Sequence, residues 1–497
     1  MKFWRRHDST GITPTVGGVL ALPLPTQILL GAGTAIILIA SFVMTQSLLG
    51  FAAILGILLL WFVVRSPILS LFAFIVINVV LTLRPKADTI GGAPSTLDLL
   101  LGLCLAAIIG YWIVRIRIIE WQPLSTSVGQ LCMVLFFVWA AFTTLGGILF
   151  NYNPVAVGLR EYLNLLPFLI LPVLYERYIK PDSKQETKLF ALVLVAGFII
   201  ILWNIIVFRS NVARAFYLYQ TGRTALDLEI TCFVILLMTS FLMAFHRWYI
   251  SLFAILFLLL GVLGLVVSFT RTLYVGVLLT MGMVLLFGRS EERWRGIKHL
   301  FSAGLAIVIS MIPIYYSSKI IRLLLSNFAL RFLSTQHFGT DRSLLSRISE
   351  WKSEWHYIVG SPVFGYGFGA SFRFYNILEH SHSWMPFSHN SYLYIIFKTG
   401  FVGGFLFIIS MVALLYKGFH LIQSPELSPR SRIVIRACVA FISLVLFGAF
   451  TGPTFDSKTN IAWLAFAWGY ILAVERSAKN SRLVKAPFAD RPHILQK

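Results

Sequence analysis

The stretch Leu252–Phe287 reads LFAILFLLLGVLGLVVSFTRTLYVGVLLTMGMVLLF and holds a single charged residue, Arg271. An apolar run of about 18 residues or more is long enough to cross the hydrocarbon core of a bilayer as a helix. Two such runs stand back to back here, joined by Ser268-Phe-Thr-Arg271 with almost no loop. The rest of the chain has the same character. Of 497 residues, 58% are hydrophobic and 12% charged, with mean hydropathy +0.82. Soluble domains carry roughly 25% charged residues, so the polar surface needed to keep a chain of this size in water is missing. A soluble enzyme, a disordered chain and a disulfide scaffold are excluded. The composition predicts an all-α, polytopic integral membrane protein.

Apolar runs of helix-spanning length predict about fourteen transmembrane helices, at 27–45, 48–64, 67–83, 97–114, 130–149, 160–176, 189–208, 226–245, 248–268, 272–288, 299–317, 399–416, 433–451 and 459–474. Residues 1–26 precede them as a basic, Pro-containing leader that makes a poor signal peptide and is expected to stay in the cytoplasm. Residues 27–317 then hold eleven helices, 318–398 one large loop, 399–474 three more helices and 475–497 a basic tail.

Net charge is +21, with 41 basic against 20 acidic residues. With the N-terminus inside, the connections on the cytoplasmic side carry 24 Lys and Arg, and the short connections on the other face carry eight. A bias of that kind orients membrane proteins, so the basic excess reads as topology and not as a nucleic-acid footprint. Both termini are expected in the cytoplasm. The cysteines Cys104, Cys132, Cys232 and Cys438 all lie in apolar runs, without the spacing of a disulfide framework or a zinc site. No internal repeat of the inverted-transporter kind is visible.

The outer loop from Ser318 to Lys398 is far more polar than its surroundings and rich in Trp, Phe, Tyr and Gly. Within it, Asp341–Trp355 and the residues that follow read as a helix ended by Gly360-Ser-Pro362, with Ile348, Trp351, Trp355 and Ile358 on one face. Arg347 stands one turn from Trp351, so a cation lies beside an aromatic stripe; an interfacial helix with a solvated Arg accounts for the same spacing. Pro362-Val-Phe-Gly365-Tyr-Gly367-Phe-Gly369 alternates glycine with aromatics, which suits either a turn or a nest of backbone N–H groups around an anion. His389-Asn390-Ser391-Tyr392 leads into an apolar helix expected to break at Thr399-Gly400. A histidine just above a span can serve as a base or be an ordinary interfacial residue. His380, His382 and His389 lack the geometry and the carboxylates of a metal site.

Arg271 sits at the outer hydrocarbon boundary, where snorkelling to headgroups is the bland explanation. Arg209, Arg214 and Arg223 occupy the outer connection before the eighth span, and Arg436 is the one basic residue well inside a span.

Three of these pieces, in order, resemble the O-antigen ligase/polymerase superfamily of bacterial inner-membrane enzymes. They are Ser268–Gly276, with its Ser…Arg turn and following glycine; Arg347…Trp351 with Pro362–Gly367; and His389-Asn390-Ser391-Tyr392-Leu393…Thr399-Gly400-Phe-Val-Gly403. The resemblance covers about 252–415. It implies a GT-C-type glycosyltransferase acting, without metal or other cofactor, on a glycan carried by undecaprenyl diphosphate. Arg271, Arg347 and His389 match the family's functional residues. Arg214, Arg223, Trp351, Trp355, Tyr366 and Asn390 are candidates for holding substrate. Fourteen apparent spans tilt the expectation toward a polymerase of lipid-linked repeat units for O-antigen or exopolysaccharide. A ligase passing the finished glycan to lipid A core and a transporter of an anion or lipid-linked sugar are the alternatives. The implied partners are the lipid-linked donor and acceptor and membrane lipids, with room for a chain-length regulator and a flippase; nucleic acid is not expected. The seven basic residues of the loop before Lys398 outnumber its four acids, which favours an anionic donor.

Overall fold

A computed structural model describes residues 66–83, part of 104–115, 127–214, 228–317 apart from 246 and 269, 322, 326, 342–377 and 380–485. The apolar runs at 27–45 and 48–64, the N-terminal leader and most of 97–114 lie outside the described residues.

The helices, in chain order, are α1 (Pro67–Leu83), α2 (Val128–Phe150), α3 (Val155–Leu165), α4 (Pro167–Tyr178), α5 (Lys184–Arg214), α6 (Leu228–Ala244), α7 (Trp248–Val267), α8 (Arg271–Leu286) and α9 (Ser290–Ser317). After these come α10 (Arg342–Gly360), α11 (Ser391–Ile422), α12 (Pro429–Gly448) and α13 (Lys458–Lys485). Among the described residues, six helical stretches are long and apolar enough to cross a membrane: α2, α3 with α4, most of α5, α7, α11 and α12. The described part of the chain is thus a mostly helical, multi-pass membrane protein. α1, α6 and α8 are shorter apolar helices.

The centre of the bundle is α6, α12 and α13. Every residue from Ile230 to Ser240, from Ser431 to Ile442 and from Thr459 to Val474 is buried. A helix apolar on all sides belongs inside such a shell. α13 packs on α4 and α12, α6 on α7, α8, α9 and α12, and α2 on α11. The outward faces carry exposed Val138 and Phe142 on α2, Leu278 and Leu279 on α8 and Phe405 on α11, surface suited to lipid.

The run expected at 160–176 is two helices. Pro167 at the first position of α4 has no N–H to continue α3, so the chain restarts at Leu166. The Thr399-Gly400 break is found inside α11, where Gly400 takes φ 67°, ψ 179°. Only glycine holds that conformation readily, and a Cβ there would run into the Val363 carbonyl.

The polar loop adds an element beyond the helical expectation, an antiparallel hairpin of β1 (Phe372–Asn376) and β2 (Ser381–Met385), with Phe372 opposite Met385 and Arg373 opposite Trp384. Phe372 and Phe374 point inward while Arg373 and Tyr375 face out, the alternation of a half-buried strand. With Ile358 of α10 and Phe397 of α11 these two Phe side chains form a small core that seats the loop on the bundle.

Candidate active site

The buried face of α10 is not the one its apolar residues predict. Ser346, Glu350, Glu354 and Ile358, four apart, are the buried stripe, while Trp355 is 49% exposed and Trp351 half-buried. Two carboxylates therefore take the place of core side chains, and both have partners on the segment just before α11. Glu350 grips His389 twice: its Oε1 accepts the His389 backbone N–H at 2.6 Å, and its Oε2 lies 2.7 Å from His389 Nδ1. The histidine side chain is 31% exposed and the glutamate side chain 2%. A carboxylate accepts at Nδ1, so the imidazole keeps its proton there and offers the Nε2 lone pair.

Glu354 accepts from Ser388 Oγ at 2.7 Å, and Ser388 Oγ accepts the Asn390 backbone N–H at 3.0 Å. Burial pushes the Glu354 carboxyl up to about 8, against a smaller opposing pull from the Ser388 hydrogen bond. A carboxyl that holds its proton when folded and loses it near 4.5 when unfolded makes stability fall as pH rises between those values. Glu354→Gln is expected to flatten that decline. Thermal unfolding midpoints from about pH 5 to about pH 9 test it, and an unchanged slope contradicts it.

Asn390 caps α11, its Oδ1 accepting from the backbone N–H groups of Tyr392 and Leu393. Ser391 ties α11 to the turn that follows α12. Its N–H donates to Ala449 O at 2.8 Å, and its Oγ donates to Gly452 O at 2.6 Å and accepts from Thr454 N at 2.7 Å. The same turn reaches α8, where Thr272 Oγ1 and Thr451 Oγ1 are 2.8 Å apart. Arg271, the first residue of α8 and half-buried, thereby stands at the same end of the bundle as His389. Arg347, also half-buried, lies on α10 one turn before Glu350, on the same face. The structure brings Arg271, Arg347 and His389 to one end of the protein.

The glycine-aromatic segment is neither an open nest nor a loose turn. The Tyr366 and Gly367 N–H groups donate to Phe397 O and Lys398 O, at 2.9 and 2.8 Å. The Gly369 N–H donates to Glu161 Oε2 at 2.8 Å, and Asn153 Nδ2 donates to Tyr366 O at 2.7 Å. The segment is a strap sewn to α3 and to the broken start of α11. Tyr366 stacks on Phe397 with ring centroids 5.4 Å apart.

Beneath the strap lies a charge pair absent from the sequence reading. Lys398 Nζ donates to Glu161 Oε2 at 2.8 Å and to Ala370 O at 2.6 Å, with side chains 0% and 4% exposed. A lysine one residue before a helix-breaking Thr-Gly, and a lone Glu in an apolar run, were its signals in the sequence. Arg436 proves to be paired as well, its Nη2 lying 2.6 Å from Glu292 Oε2 at the start of α9. Trp351 places its indole N–H in a buried spot with no hydrogen-bond partner among the described residues. Trp355 meets Phe401 edge-on at 6.1 Å. Arg214 ends α5 with a side chain outside the described set, and Arg223 lies outside the described residues. Among the described residues, no group of three or more His, Cys, Asp or Glu could hold a metal ion.

Residues 254–408 match the family model described as O-antigen ligase. Over those residues the chain is similar to the O-antigen ligase/polymerase superfamily. The matched stretch covers about a third of the chain and includes Arg271, Arg347 and His389, as well as the strap and Lys398. Glu161, Asn153 and the turn at Thr451 buttress the matched stretch from outside it. No curated protein matches the chain.

Proposed function

We propose that this protein is a GT-C-type glycosyltransferase of the bacterial inner membrane, polymerising undecaprenyl-diphosphate-linked repeat units into a surface polysaccharide at the periplasmic face. The observation that carries the reading is the His389–Glu350 pair, set at the same end of the bundle as Arg271 and Arg347. In the reaction an acceptor hydroxyl attacks the anomeric carbon of the donor sugar. The new C–O bond forms as the bond to diphosphate breaks, and that electron pair leaves on a phosphate oxygen. His389 Nε2 takes the hydroxyl proton, and Glu350 holds the ring and balances the imidazolium.

The leaving diphosphate needs fixed positive charge. Arg271 stands at the head of α8, where the backbone N–H groups of the helix N-terminus also favour an anion. Arg347 supplies a planar fork for phosphate oxygens. Trp351, Trp355 and Tyr366 offer faces for sugars. Asn390 acts on substrate only indirectly, by shaping the start of α11. Arg214 and Arg223 remain candidate donor contacts.

The basic residues Arg247, Arg293, Arg295, Arg430 and Lys417 belong to the end of the bundle opposite His389, in keeping with a cytoplasmic placement of that end and of the close of α13. The fourteen spans expected from the sequence fit the polymerase reading. The ligase reading, with lipid A core as acceptor, draws on the description of the matched family. Transport gains nothing from the buried charges, since Lys398 and Arg436 each carry a countercharge.

The test gives the purified protein a synthetic lipid-diphosphate repeat and reads product size on a gel. A ladder is the expected result; a single transfer to lipid A core alone favours the ligase, and no transfer to either acceptor refutes both. Arg347→Lys is expected to weaken the ladder by about tenfold or more, because a point charge does not replace a bidentate fork. Near-normal product from that variant contradicts the role.

A further inference from the structure

The flank of α10 turned away from His389 lines a second cleft. Lys352 and His356 lie roughly half a turn around the helix from Glu350 and Glu354. With Tyr357, Tyr366, Arg373 of β1 and His382 of β2 they bound a space of about 750 Å³. Its character differs from the His389 side. Among the described lining residues there is no carboxylate. Lys352 and Arg373 are exposed, whereas Tyr357 and Tyr366 are half-buried and fixed. Their rings meet edge to face at 5.9 Å, and both lean on Phe397, at 6.2 and 5.4 Å. The strap hydrogen bonds hold Tyr366 in place, and Ser349 Oγ donating to Tyr375 O at 3.0 Å ties α10 to the strand carrying Arg373.

A rigid aromatic wall suits the apolar face of a sugar ring, and cations with no acid among the described neighbours suit carboxylate or phosphate substituents. We propose that this cleft binds an acidic stretch of the glycan, sugars bearing carboxylate or phosphate groups, about one helix width from the reacting centre. The helix between the two sites is roughly 10 Å across, so one oligosaccharide can reach both. This rests on the glycosyltransferase reading and adds to it the class of sugar and a place for the part of the chain that does not react. A headgroup site would use the two cations but has no need of the stacked tyrosine wall.

The test titrates the full-length His389→Ala protein, which keeps this cleft, with an oligogalacturonate and with a neutral maltooligosaccharide of equal length, by calorimetry. The acidic oligosaccharide is expected to bind and the neutral one to bind more weakly. Lys352→Ala with Arg373→Ala is expected to weaken the acidic ligand by about tenfold or more and leave the neutral one unchanged. Both side chains are exposed, so these changes leave packing alone. Equal binding of the two oligosaccharides, no binding of the acidic one, or its displacement by phosphatidylglycerol but not phosphatidylcholine bilayers overturns the proposal. Acid binding together with a wild-type protein that transfers no sugar refutes the transferase and leaves the cleft; wild-type transfer without acid binding does the reverse.

Discussion

His389→Ala is expected to lower glycan transfer by about 10²–10⁴-fold, the usual contribution of a positioned base. Expression and insertion should survive with a modest loss of stability, since the buried Glu350 loses the imidazole but keeps the His389 backbone N–H. Polymer length on carrier lipid, measured in membranes with wild-type amounts of the variant, checks it. What transfer is left should come from charge stabilisation of the departing diphosphate by Arg271 and Arg347. Near-normal polymer from His389→Ala would remove the imidazole from the mechanism.

The largest effect on stability is expected at Lys398. Replacing it with Ala leaves the Glu161 carboxylate 4% exposed and without its countercharge, beside a backbone N–H at Gly369 that is a weaker partner. Breaking a buried pair from one side costs about 3–5 kcal/mol. Lys398→Met with Glu161→Leu should cost much less than the two single losses together, because no stranded charge remains, although Gly369 N–H and Ala370 O still lose a partner. Thermal denaturation in detergent of the two single variants and the double decides it. Additive losses would mean that the pair is not coupled.

The membrane helices were legible because burial in lipid requires long apolar runs, and the described helices follow those runs closely. Pro167 and Gly400 show the two kinds of break. Gly400 was readable from a Thr-Gly step inside an apolar run. Pro167 was hidden because the residues on both sides of it are equally apolar. The loop was harder, since its helix obeys a different rule. Apolar spacing picked Ile348, Trp351, Trp355 and Ile358, but three-dimensional burial selects Glu350 and Glu354, whose hydrogen-bonding partners lie more than thirty residues away. A carboxylate made buriable by a distant Ser388 or His389 leaves no periodic trace. The hairpin strands are five residues each, too short for alternation to stand out. Arg271, Arg347 and His389 could be named from motifs, whereas the pairing of Glu161 with Lys398 and the bridge from Ser391 to Gly452 are long-range contacts that no local pattern gives.

The hydroxyl of Ser391 holds Gly452 and Thr454 at once, and Thr451, just before them, is fastened to α8. Adding or deleting one residue between Ala449 and Phe455 would shift those partners out of reach together. Natural relatives and engineered variants should therefore keep this connection at constant length, even where neighbouring loops grow or shrink.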